Sequence, residues 1–300
     1  MSFTAVVVIH DSEPELRALL GSIDRHLPQA PQLVVADTGS GDGGAQLARG
    51  RGAEVVSLPA NPGFGPANNA GVERARHEVT ALLNPDVELL DAGLSRLVER
   101  TREHDALLVP RLLEADGSTQ RSAHPLPGRA GGFLPALVHP PLLPRGLRER
   151  CEPWRAQSPR TVGWAVAACL VARTATLRAL GPFDPGAFLF FEDLDLCLRA
   201  RAAGVPTVLH PDVRLRHAGG HATGRRFGGE AHDLQARRRR EVVEARLGPR
   251  ALALDDAAQA LTFATRVAGR TLLGRDASRP RAQLRALRAA RKLHPGNGGQ

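Results

Sequence analysis

Short apolar runs and helical segments alternate along the first 112 residues. The apolar runs have strand length and cover residues 5–9, 33–36, 54–57, 79–83 and 107–112. Leucines and an isoleucine recur at helical spacing after the first run, behind a capping-box pattern at Ser12 and Glu15. Further helices are predicted over residues 66–76 and 92–104. Such alternation predicts an α/β fold, with a parallel sheet covered by helices on both faces.

The pattern changes in the second half of the chain. Residues 115–117 predict a hairpin turn, and the proline-rich residues 124–159 have no periodicity and predict an irregular, partly mobile loop. Regular structure returns with a predicted strand over 162–172, a helix over 193–203, and two strands over 207–209 and 213–216. Beyond residue 233 the pattern is helical and basic.

Polar loops follow the predicted parallel strands, beginning at His10, Asp37, Leu58 and Asn84. The carboxyl ends of parallel strands meet at one sheet edge, where such folds bind their ligands. The loop after the second strand carries two carboxylates, Asp37 and Asp42. Asp and Gly are also ordinary turn residues, so this loop alone fits a plain turn equally well.

Residues 61–71 combine two prolines, three glycines and the amides Asn61, Asn68 and Asn69 ahead of a helix. The paired amides can cap that helix or hydrogen-bond a ligand. Asp86 follows an apolar strand, where its carboxylate can hold a hard cation that bridges phosphate oxygens or can merely cap a turn.

Three carboxylates, Glu192, Asp193 and Asp195, follow an apolar run over residues 188–191. Helical spacing puts Glu192 and Asp195 on neighbouring faces and directs Asp193 elsewhere, which indicates different roles for them. Acidic residues at a helix start also simply favour the helix dipole. His217, at the end of a predicted strand, carries an imidazole nitrogen suited to manganese or a similar ion.

Composition narrows the function classes. Hydrophobic residues make up 42% of the chain, as in globular proteins, and no apolar run reaches the about 20 residues of a membrane helix. The N-terminus lacks the basic flank of a signal peptide, so we expect a cytoplasmic protein. The net charge of +9 comes almost entirely from arginine, and tyrosine is absent. Few aromatic platforms for bases argue against a nucleic-acid partner. The three cysteines have no disulfide or zinc spacing.

At this point the residues resemble family 2 glycosyltransferases of the GT-A fold, in the rhamnosyltransferase-like branch. The matching segments are residues 6–10, 37–43, 61–71, 82–86, 109–112, 181–184, 190–199 and 217–220, in the family's order. Residues 1–232 would form the catalytic domain, with a nucleotide-sugar-binding half (1–112) and an acceptor and catalytic half (113–232). Residues 233–300 would form a basic helical extension.

The resemblance implies an inverting transfer from a nucleotide-diphosphate sugar. The donor would be dTDP-rhamnose or another dTDP-, UDP- or GDP-sugar, and the acceptor a saccharide, a lipid-linked or a small-molecule hydroxyl in cell-envelope polysaccharide or glycoconjugate synthesis. Asp193 would be the general base, with Glu192 as its rival, and Asp86 and His217 would hold Mg²⁺ or Mn²⁺. The nucleotide-sugar contacts implied by the motifs are His10, Asp37, Asp42, Asn61, Gly63, Asn68, Asn69 and Asn84.

Other functions remain open from the sequence. One is a nucleotidyltransferase, although the N-terminal region lacks the lysine expected of its phosphate loop. Another is a non-catalytic sugar-nucleotide-binding protein acting through its basic tail. The apolar stripes and arginines of residues 257–273 and 282–293 fit helices packed on the catalytic domain, or a peripheral attachment to an anionic membrane that would bring the enzyme to a lipid-linked acceptor.

Overall fold

A mixed nine-stranded β-sheet forms the centre of the protein in this computed structural model, which describes residues 2–58, 60–138, 140–184, 189–219 and 231–293. The strands are β1 (Thr4–Ile9), β2 (Gln32–Asp37), β3 (Glu54–Ser57), β4 (Val79–Leu83), β5 (Val87–Leu89), β6 (Leu107–Leu113), β7 (Ala123–His124), β8 (Arg160–Val162), β9 (Trp164–Ala165), β10 (Cys169–Arg173) and β11 (Thr207–His217). The helices are α1 (Glu13–His26), α2 (Gly44–Gly50), α3 (Phe64–Glu73), α4 (Gly93–Glu103), α5 (Leu134–Leu137), α6 (Arg145–Cys151), α7 (Thr174–Leu180), α8 (Glu192–Ala202), α9 (His232–Leu247), α10 (Pro249–Leu272) and α11 (Ser278–Leu293).

Strand β1 shows why the sequence folds this way. All six of its residues are buried, and successive side chains point to opposite faces of the sheet. Val7 packs with the leucines of α1 in one apolar cluster, whereas Val6 packs with Val72 of α3 in another. The apolar run at residues 5–9 therefore packs on both faces of the sheet, and the buried Thr4 before it satisfies its hydroxyl by donating to Oε1 of Gln32 at 2.7 Å.

The sheet order is β3-β2-β1-β4-β10-β6-β11-β5, and β8 also pairs with β11. Strands β1, β2, β3 and β4 pair with one another in parallel, as predicted. The parallel sheet expected from the alternation of the first 112 residues is extended by antiparallel pairings, because β10 lies antiparallel between β4 and β6, and β5 and β8 pair antiparallel with β11. A fully buried apolar run carries no information about the direction of its neighbours.

Two predicted strand boundaries also differ. The predicted strand over 162–172 divides into β8, β9 and β10, because the run changes partner from β11 to β7 and then to β4. The two strands predicted over 207–209 and 213–216 form one strand, β11, with an irregularity in its pairing to β6 between His210 and Arg214. A bulge accommodates the Pro-Asp step that suggested a break.

The hairpin turn at 115–117 is confirmed, because the Glu114 amide donates to the Ser118 carbonyl across it at 2.8 Å. Residues 124–159 are less irregular than expected. They contain β7, α5 and α6, with 3₁₀ turns at Ala130–Phe133, Pro140–Leu142 and Pro153–Arg155. The short proline-broken pieces give no sustained periodicity, which explains why the sequence pattern missed them.

The capping box at the start of α1 is wrong. The Ser12 hydroxyl donates to the His10 carbonyl at 2.9 Å and makes no cap bond to the helix. Oδ2 of Asp42 instead accepts the first helical N–H, that of Glu13, at 2.7 Å. A carboxylate at a helix N-terminus is favourable, and this one reaches α1 from the loop before α2.

The C-terminal helices pack against the rest of the fold through α8. Val242 and Val243 of α9 and Leu252 of α10 share an apolar cluster with Leu194 of α8. Leu287 of α11 is buried, whereas Leu272 at the end of α10 is 87% exposed. The described helices include none that is both long and apolar enough to cross a membrane. All three cysteines are buried free thiols.

Candidate active site

A cavity of about 740 Å³ opens at the carboxyl ends of β1 and β4, in front of the start of α8. Eight of the residues singled out from the sequence line it. They are His10, Asn61, Gly63, Asn84, Asp86, Glu192, Asp193 and His217. The structure thus brings both proposed metal ligands and both candidate bases to one cavity.

Four other predicted contacts lie outside the cavity lining. Asp37 is buried at the end of β2, and its Oδ1 accepts the Ser40 amide at 2.9 Å. Asp42 caps α1 and also accepts the Gly44 amide at 2.9 Å. Both carboxylates shape the loop after β2.

The paired amides of α3 also bind protein. The Asn68 side chain donates to the Phe64 carbonyl at 3.0 Å within α3. Asn69 donates to the Phe183 carbonyl at 2.7 Å and accepts the Phe183 amide at 2.9 Å. This double contact fixes Phe183, whose ring meets that of Phe64 edge-on at 5.7 Å. The ring of Phe64 in turn lines the cavity.

The candidate metal centre lies where the turn after β4 meets the end of β11. Nε2 of His217 is 3.3 Å from Oδ1 of Asp86. On the other side of the ring, Nδ1 is 2.8 Å from Oε1 of Gln120, an oxygen that only accepts. With the ring proton on Nδ1, the Nε2 lone pair faces Asp86, and a cation between that lone pair and the carboxylate makes the contact favourable. Nδ2 of Asn84 also lies 3.4 Å from Nε2.

The surroundings of Asp86 keep it charged. Burial opposes its ionisation, but the facing His217 and the Gly219 amide, which donates to Oδ2 at 3.0 Å, hold the pKa of Asp86 below its ordinary value. Oδ1 of Asn84 is buried with no hydrogen-bond partner among the described residues. No group of three or more His, Cys, Asp or Glu ligands occurs in the described parts of the chain.

These residues fit a divalent ion that shares its coordination with a substrate. A carboxylate oxygen of Asp86 and an imidazole nitrogen of His217 meet at the cavity, and Asn84, whose Nδ2 lies 3.4 Å from that nitrogen, lines the cavity beside them. Mg²⁺ is commonly held by one or two carboxylates together with substrate phosphates, and manganese accepts imidazole as well as oxygen. Gln120 was not identified from the sequence, since only the folded chain shows which residue faces the far nitrogen of His217.

Glu192 and Asp193 form the acidic wall of the cavity. Burial and the neighbouring charge of Asp193 raise the pKa of Glu192 to about 8, and Oε2 of Glu192 has no hydrogen-bond partner among the described residues. Burial also raises the pKa of Asp193, to about 6, although the Leu194 amide donates to its Oδ1 at 2.7 Å. A carboxylate with a raised pKa is a stronger base than an ordinary aspartate.

The backbone before this pair is unusual. Phe190 and Phe191 both have left-handed φ angles, of 70° and 61°, which residues with a side chain rarely adopt. Such conformations cost conformational energy and persist where the surroundings hold them, often at functional sites. The two steps turn the chain so that Glu192 begins α8 facing the cavity. Of the apolar run at 188–191, residue 188 lies outside the described residues.

Asp195 has a different role from its neighbours, but the grouping expected from the helical spacing is wrong, because Glu192 shares the cavity with Asp193 and not a face with Asp195. Its Oδ2 accepts Nε of Arg199 at 2.7 Å and its Oδ1 accepts Nε of Arg246 at 2.6 Å. The carboxylate is buried and does not line the cavity. It joins α8 to α9.

A stack of aromatic rings backs the acidic wall. The imidazole of His124 stacks on Trp164 with ring centroids 4.2 Å apart, and Trp164 lies 5.9 Å from Phe191. Trp154 covers the far side of His124 at 5.8 Å. Burial and the charges of Arg239 and Arg121 lower the pKa of His124 to about 3, so this ring is neutral. Trp164 also lines the cavity, and its place within a short apolar run gave no sign of this.

Comparison with known sequences places the chain in a family. The model of the family described as Glycosyl transferase family 2 matches residues 4–156. An N-acetylglucosaminyl-diphospho-decaprenol L-rhamnosyltransferase of Mycobacterium tuberculosis is 30% identical over 240 residues, which cover 73% of this chain and 77% of that protein. A low-salt glycan biosynthesis hexosyltransferase of Haloferax volcanii is 21% identical over 209 residues, covering 67% of this chain and 62% of that one.

Solved structures share the fold. GalNAc-T7 with UDP, GalNAc and Mn²⁺ superposes with a TM-score of 0.59 at 17% identity, over 98% of this chain and 55% of that one. The mannosyltransferase PcManGT from Pyrobaculum calidifontis with GDP-Man and Mn²⁺ gives 0.55 at 14% identity, over 97% and 86%. S. aureus TarS 1–349 with UDP-GlcNAc gives 0.56 at 15% identity, over 97% and 80%. The predicted GT-A fold is thereby confirmed, and the chain belongs to glycosyl transferase family 2.

Proposed function

We propose that this protein transfers a sugar from a nucleotide-diphosphate donor to an acceptor hydroxyl, with inversion at the anomeric carbon and with the help of a divalent metal ion. The observation that carries the proposal is the shared cavity, in which the Asp86–His217 pair and the carboxylates of Glu192 and Asp193 face one space. A cation site for a diphosphate and a base for a hydroxyl are the two functions that such a transfer needs.

Asp193 is the proposed general base. An acceptor hydroxyl is a weak nucleophile until its proton is removed, and a positioned base contributes about 10²- to 10⁴-fold to the rate. The raised pKa of Asp193 makes its carboxylate a better proton acceptor, while the higher pKa of Glu192 keeps that group largely protonated near neutral pH. Asp193 therefore takes the proton as the hydroxyl oxygen attacks the anomeric carbon from the side opposite the diphosphate, which inverts that centre.

Asp86 and His217 would hold Mg²⁺ or Mn²⁺. When bound there, the ion supplies positive charge to the diphosphate oxygens, whose negative charge grows as the sugar–oxygen bond breaks. Gln120 keeps the His217 ring turned with Nε2 toward the site, which is the usual work of a residue behind a metal ligand. Manganese in two of the similar structures supports a metal ion of this kind.

The nucleotide would lie along the loops after β1 and β4. His10, Asn61, Gly63 and Asn84 line the cavity there and are the proposed direct contacts. Asp37 would reach the base or ribose from the end of β2, where it now holds the Ser40 amide. Asp42, Asn68 and Asn69 would contribute by fixing the loops and the helix that shape this part of the cavity.

The rhamnosyltransferase of M. tuberculosis supports a more specific donor and acceptor. We propose dTDP-rhamnose as the first donor to test, with UDP- and GDP-sugars as alternatives, and a lipid-linked diphospho-sugar of the cell envelope as the acceptor. Peripheral binding to an anionic membrane from the cytoplasmic side would suit that acceptor. The exposed Leu272 and Leu273 at the end of α10 support it, although the buried Leu287 shows that α11 uses its apolar face to pack on the protein.

The proposal is tested first by calorimetric binding of dTDP, UDP and GDP, each with Mn²⁺ and with EDTA. Metal-dependent binding of one nucleotide is expected, and binding of none would contradict the transferase proposal. Incubation of the corresponding sugar nucleotide with a lipid-linked acceptor then gives the product, whose anomeric configuration is read by NMR. A product with retained configuration would exclude the single displacement at Asp193.

The membrane association is tested separately by co-sedimentation with anionic liposomes. The wild type should sediment with them, and the double variant Leu272→Glu/Leu273→Glu should do so less.

A further inference from the structure

One face of helix α9 lies against residues 190–195, which carry Glu192 and Asp193 and are called the catalytic turn below. Gln235, Arg239, Val242 and Arg246 follow one another at spacings of four, three and four residues, which places them on one side of a helix. Gln235 lines the cavity and Val242 is buried in the cluster that includes Leu194 of α8. Arg239 contacts Phe191, the residue before Glu192 and Asp193. Arg246 contacts Asp195, which follows them.

Arg239 makes its contact at Phe191, just before Glu192 and Asp193 in the chain. Its guanidinium carbon is 5.7 Å from the centre of the Phe191 ring, within the range of a cation–π contact. The guanidinium cannot move freely, because its Nε and Nη2 both donate to Asp255 of α10 at 2.8 Å. Gln259 donates to the same carboxylate at 2.7 Å. A partly buried, doubly bonded arginine therefore lies over the ring of Phe191.

Arg246 makes its contact at Asp195, just after Glu192 and Asp193 in the chain. Its Nε donates to Oδ1 of Asp195 at 2.6 Å, and Arg199 holds the other carboxylate oxygen at 2.7 Å. Arg199 also donates to the Pro182 carbonyl at 2.8 Å. Asp195 is thus fixed from two helices, two residues after Asp193.

The turn between these two contacts needs support. Phe191 stands in a left-handed conformation that costs conformational energy, and it is the residue from which α8 starts. Relaxation of that residue toward an ordinary φ would rotate the backbone that directs Glu192 and Asp193 into the cavity. The contact on the Phe191 ring and the ion pair at Asp195 oppose this rotation at both ends.

We propose that Arg239 and Arg246 are positioning residues, which act through Phe191 and Asp195 to hold the base in its productive orientation. This inference rests on the transfer reaction proposed above. It also assigns α9, and α10 through Asp255, to the catalytic unit, which then extends past the boundary at residue 232 expected from the sequence. A misplacement of about 1 Å at a catalytic group can cost 100-fold in rate, so the effect on turnover is large.

The test compares Arg239→Gln and Arg246→Gln with Arg240→Gln in the full-length protein. Arg240 is the matched control, because it also joins α9 to α10, but through an ion pair with Asp256 in place of the contacts that Arg239 makes with Phe191 and Arg246 with Asp195. We expect kcat to fall about 10- to 100-fold in the first two variants, with KM for the donor sugar nucleotide nearly unchanged. Arg239→Lys and Arg246→Lys should recover part of the loss. The Arg240 variant should lose thermal stability and keep its kcat below the melting temperature.

A double-mutant cycle with Phe191→Leu separates positioning from folding. If Arg239 acts through the ring, Arg239→Gln lowers kcat much less in the Phe191→Leu background than in the wild type. Additive effects, or an equal loss of kcat in the Arg240 variant, would overturn the proposal. Phe191→Leu leaves the Arg239–Asp255 pair intact, so where an arginine variant fails to fold, the single Phe191→Leu variant still tests the ring: kcat should fall with donor KM nearly unchanged, and an unchanged kcat would overturn the role of the ring.

Tryptophan fluorescence gives a readout that does not depend on activity. The chain has two tryptophans, and both belong to the stack behind Phe191. We expect Arg239→Gln to change the emission and its quenching by acrylamide, and Arg240→Gln to leave both unchanged. Unchanged emission in the Arg239 variant would count against the contact itself. If the wild-type protein shows no sugar transfer, the function proposed above fails, while the fluorescence still reports whether Arg239 holds the turn.

Discussion

Nε2 of His217 lies 3.3 Å from Oδ1 of Asp86, at the point where the last strand of the sheet passes the turn after β4. The two residues are 131 positions apart in the chain, and the antiparallel pairing of β11 with β5 brings them together by aligning His217 with Val87. The short strand β5 therefore has a functional consequence, because it sets the distance between the two proposed ligands.

We expect His217→Ala to remove the metal-dependent part of nucleotide binding. Loss of residues that only support metal ligands commonly costs 10- to 100-fold in metal affinity, so loss of a ligand should cost at least about as much. Calorimetric titration of the nucleotide with Mn²⁺ measures this, and in EDTA the variant and the wild type should bind alike. His210→Ala is the control, because His210 lies on the same strand but contacts Arg100, with Nδ1 and Nη1 2.9 Å apart. Equal affinity of the His217 variant and wild type in Mn²⁺ would exclude His217 as a ligand.

Asp193→Asn should lower kcat by about 10²- to 10⁴-fold, the usual contribution of a general base, because the amide cannot accept the hydroxyl proton. Nucleotide affinity should remain close to that of the wild type, since the expected binding contacts lie on other walls of the cavity. Steady-state transfer rates and calorimetry measure the two quantities. Glu192→Gln is the comparison that decides between the neighbours. A larger loss of turnover in the Glu192 variant than in the Asp193 variant would reverse the assignment of the base.

The buried Glu192 should make stability depend on pH. Its pKa is raised from 4.5 to about 8 in the folded protein, so between these values the folded state keeps a proton that the unfolded state has lost. The free energy of unfolding contributed by this group therefore decreases as pH rises through that window. Glu192→Gln removes the titration, and the variant should gain stability relative to the wild type from pH 5 to pH 8.

Urea denaturation of both proteins at several pH values measures that difference. A constant difference across the range would show that Glu192 is not buried in its protonated form.

Activity should increase with pH around pH 6, because the pKa of Asp193 is about 6 and its base form accumulates as pH rises past that value. We therefore expect kcat/KM to increase through pH 6, with the increase abolished in Asp193→Asn.

Much of the N-terminal half of the fold was predictable because its signals are local. The first strand was expected over residues 5–9 and forms over Thr4–Ile9, and the loops at its end and at the end of β4 carry cavity residues as predicted. A strand buried on both faces needs apolar residues at each position, and the polar residue that ends it marks the sheet edge. Such a signal is readable from a few neighbouring residues.

The features that escaped prediction depend on distant parts of the chain. Asp42 caps a helix that begins 29 residues earlier, so no local motif identifies it as a cap. The left-handed Phe190 and Phe191 cannot be recognised from their residue type, since aromatic side chains favour the opposite sign of φ. The contacts of Arg239 and Arg246 with Phe191 and Asp195 were missed for the same reason. In the sequence these arginines belong to a basic helical segment that gives no sign of their partners.

A last prediction concerns the packing of α3 under the nucleotide loops. A Cβ atom added at Gly71 would lie 2.3 Å from Cγ1 of Val6, which is wholly buried on β1. Replacing a helical glycine by alanine ordinarily gains about 0.5–1 kcal/mol, but overpacking a core commonly costs about 1–3 kcal/mol. We therefore expect Gly71→Ala to lower the free energy of unfolding. Gly50→Ala in α2 has no atom within 4 Å of its new Cβ and should be neutral or stabilising.

Urea denaturation of the two alanine variants tests this expectation, and Val6→Ala combined with Gly71→Ala tests its cause. If the clash with Val6 is responsible, the second substitution relieves it, so the double variant should be more stable than the sum of the single effects predicts. Additive effects would place the strain elsewhere in α3. Because α3 starts at Phe64 on the cavity wall, a shift of the helix away from β1 should also weaken nucleotide binding. The Gly50 variant should bind like the wild type.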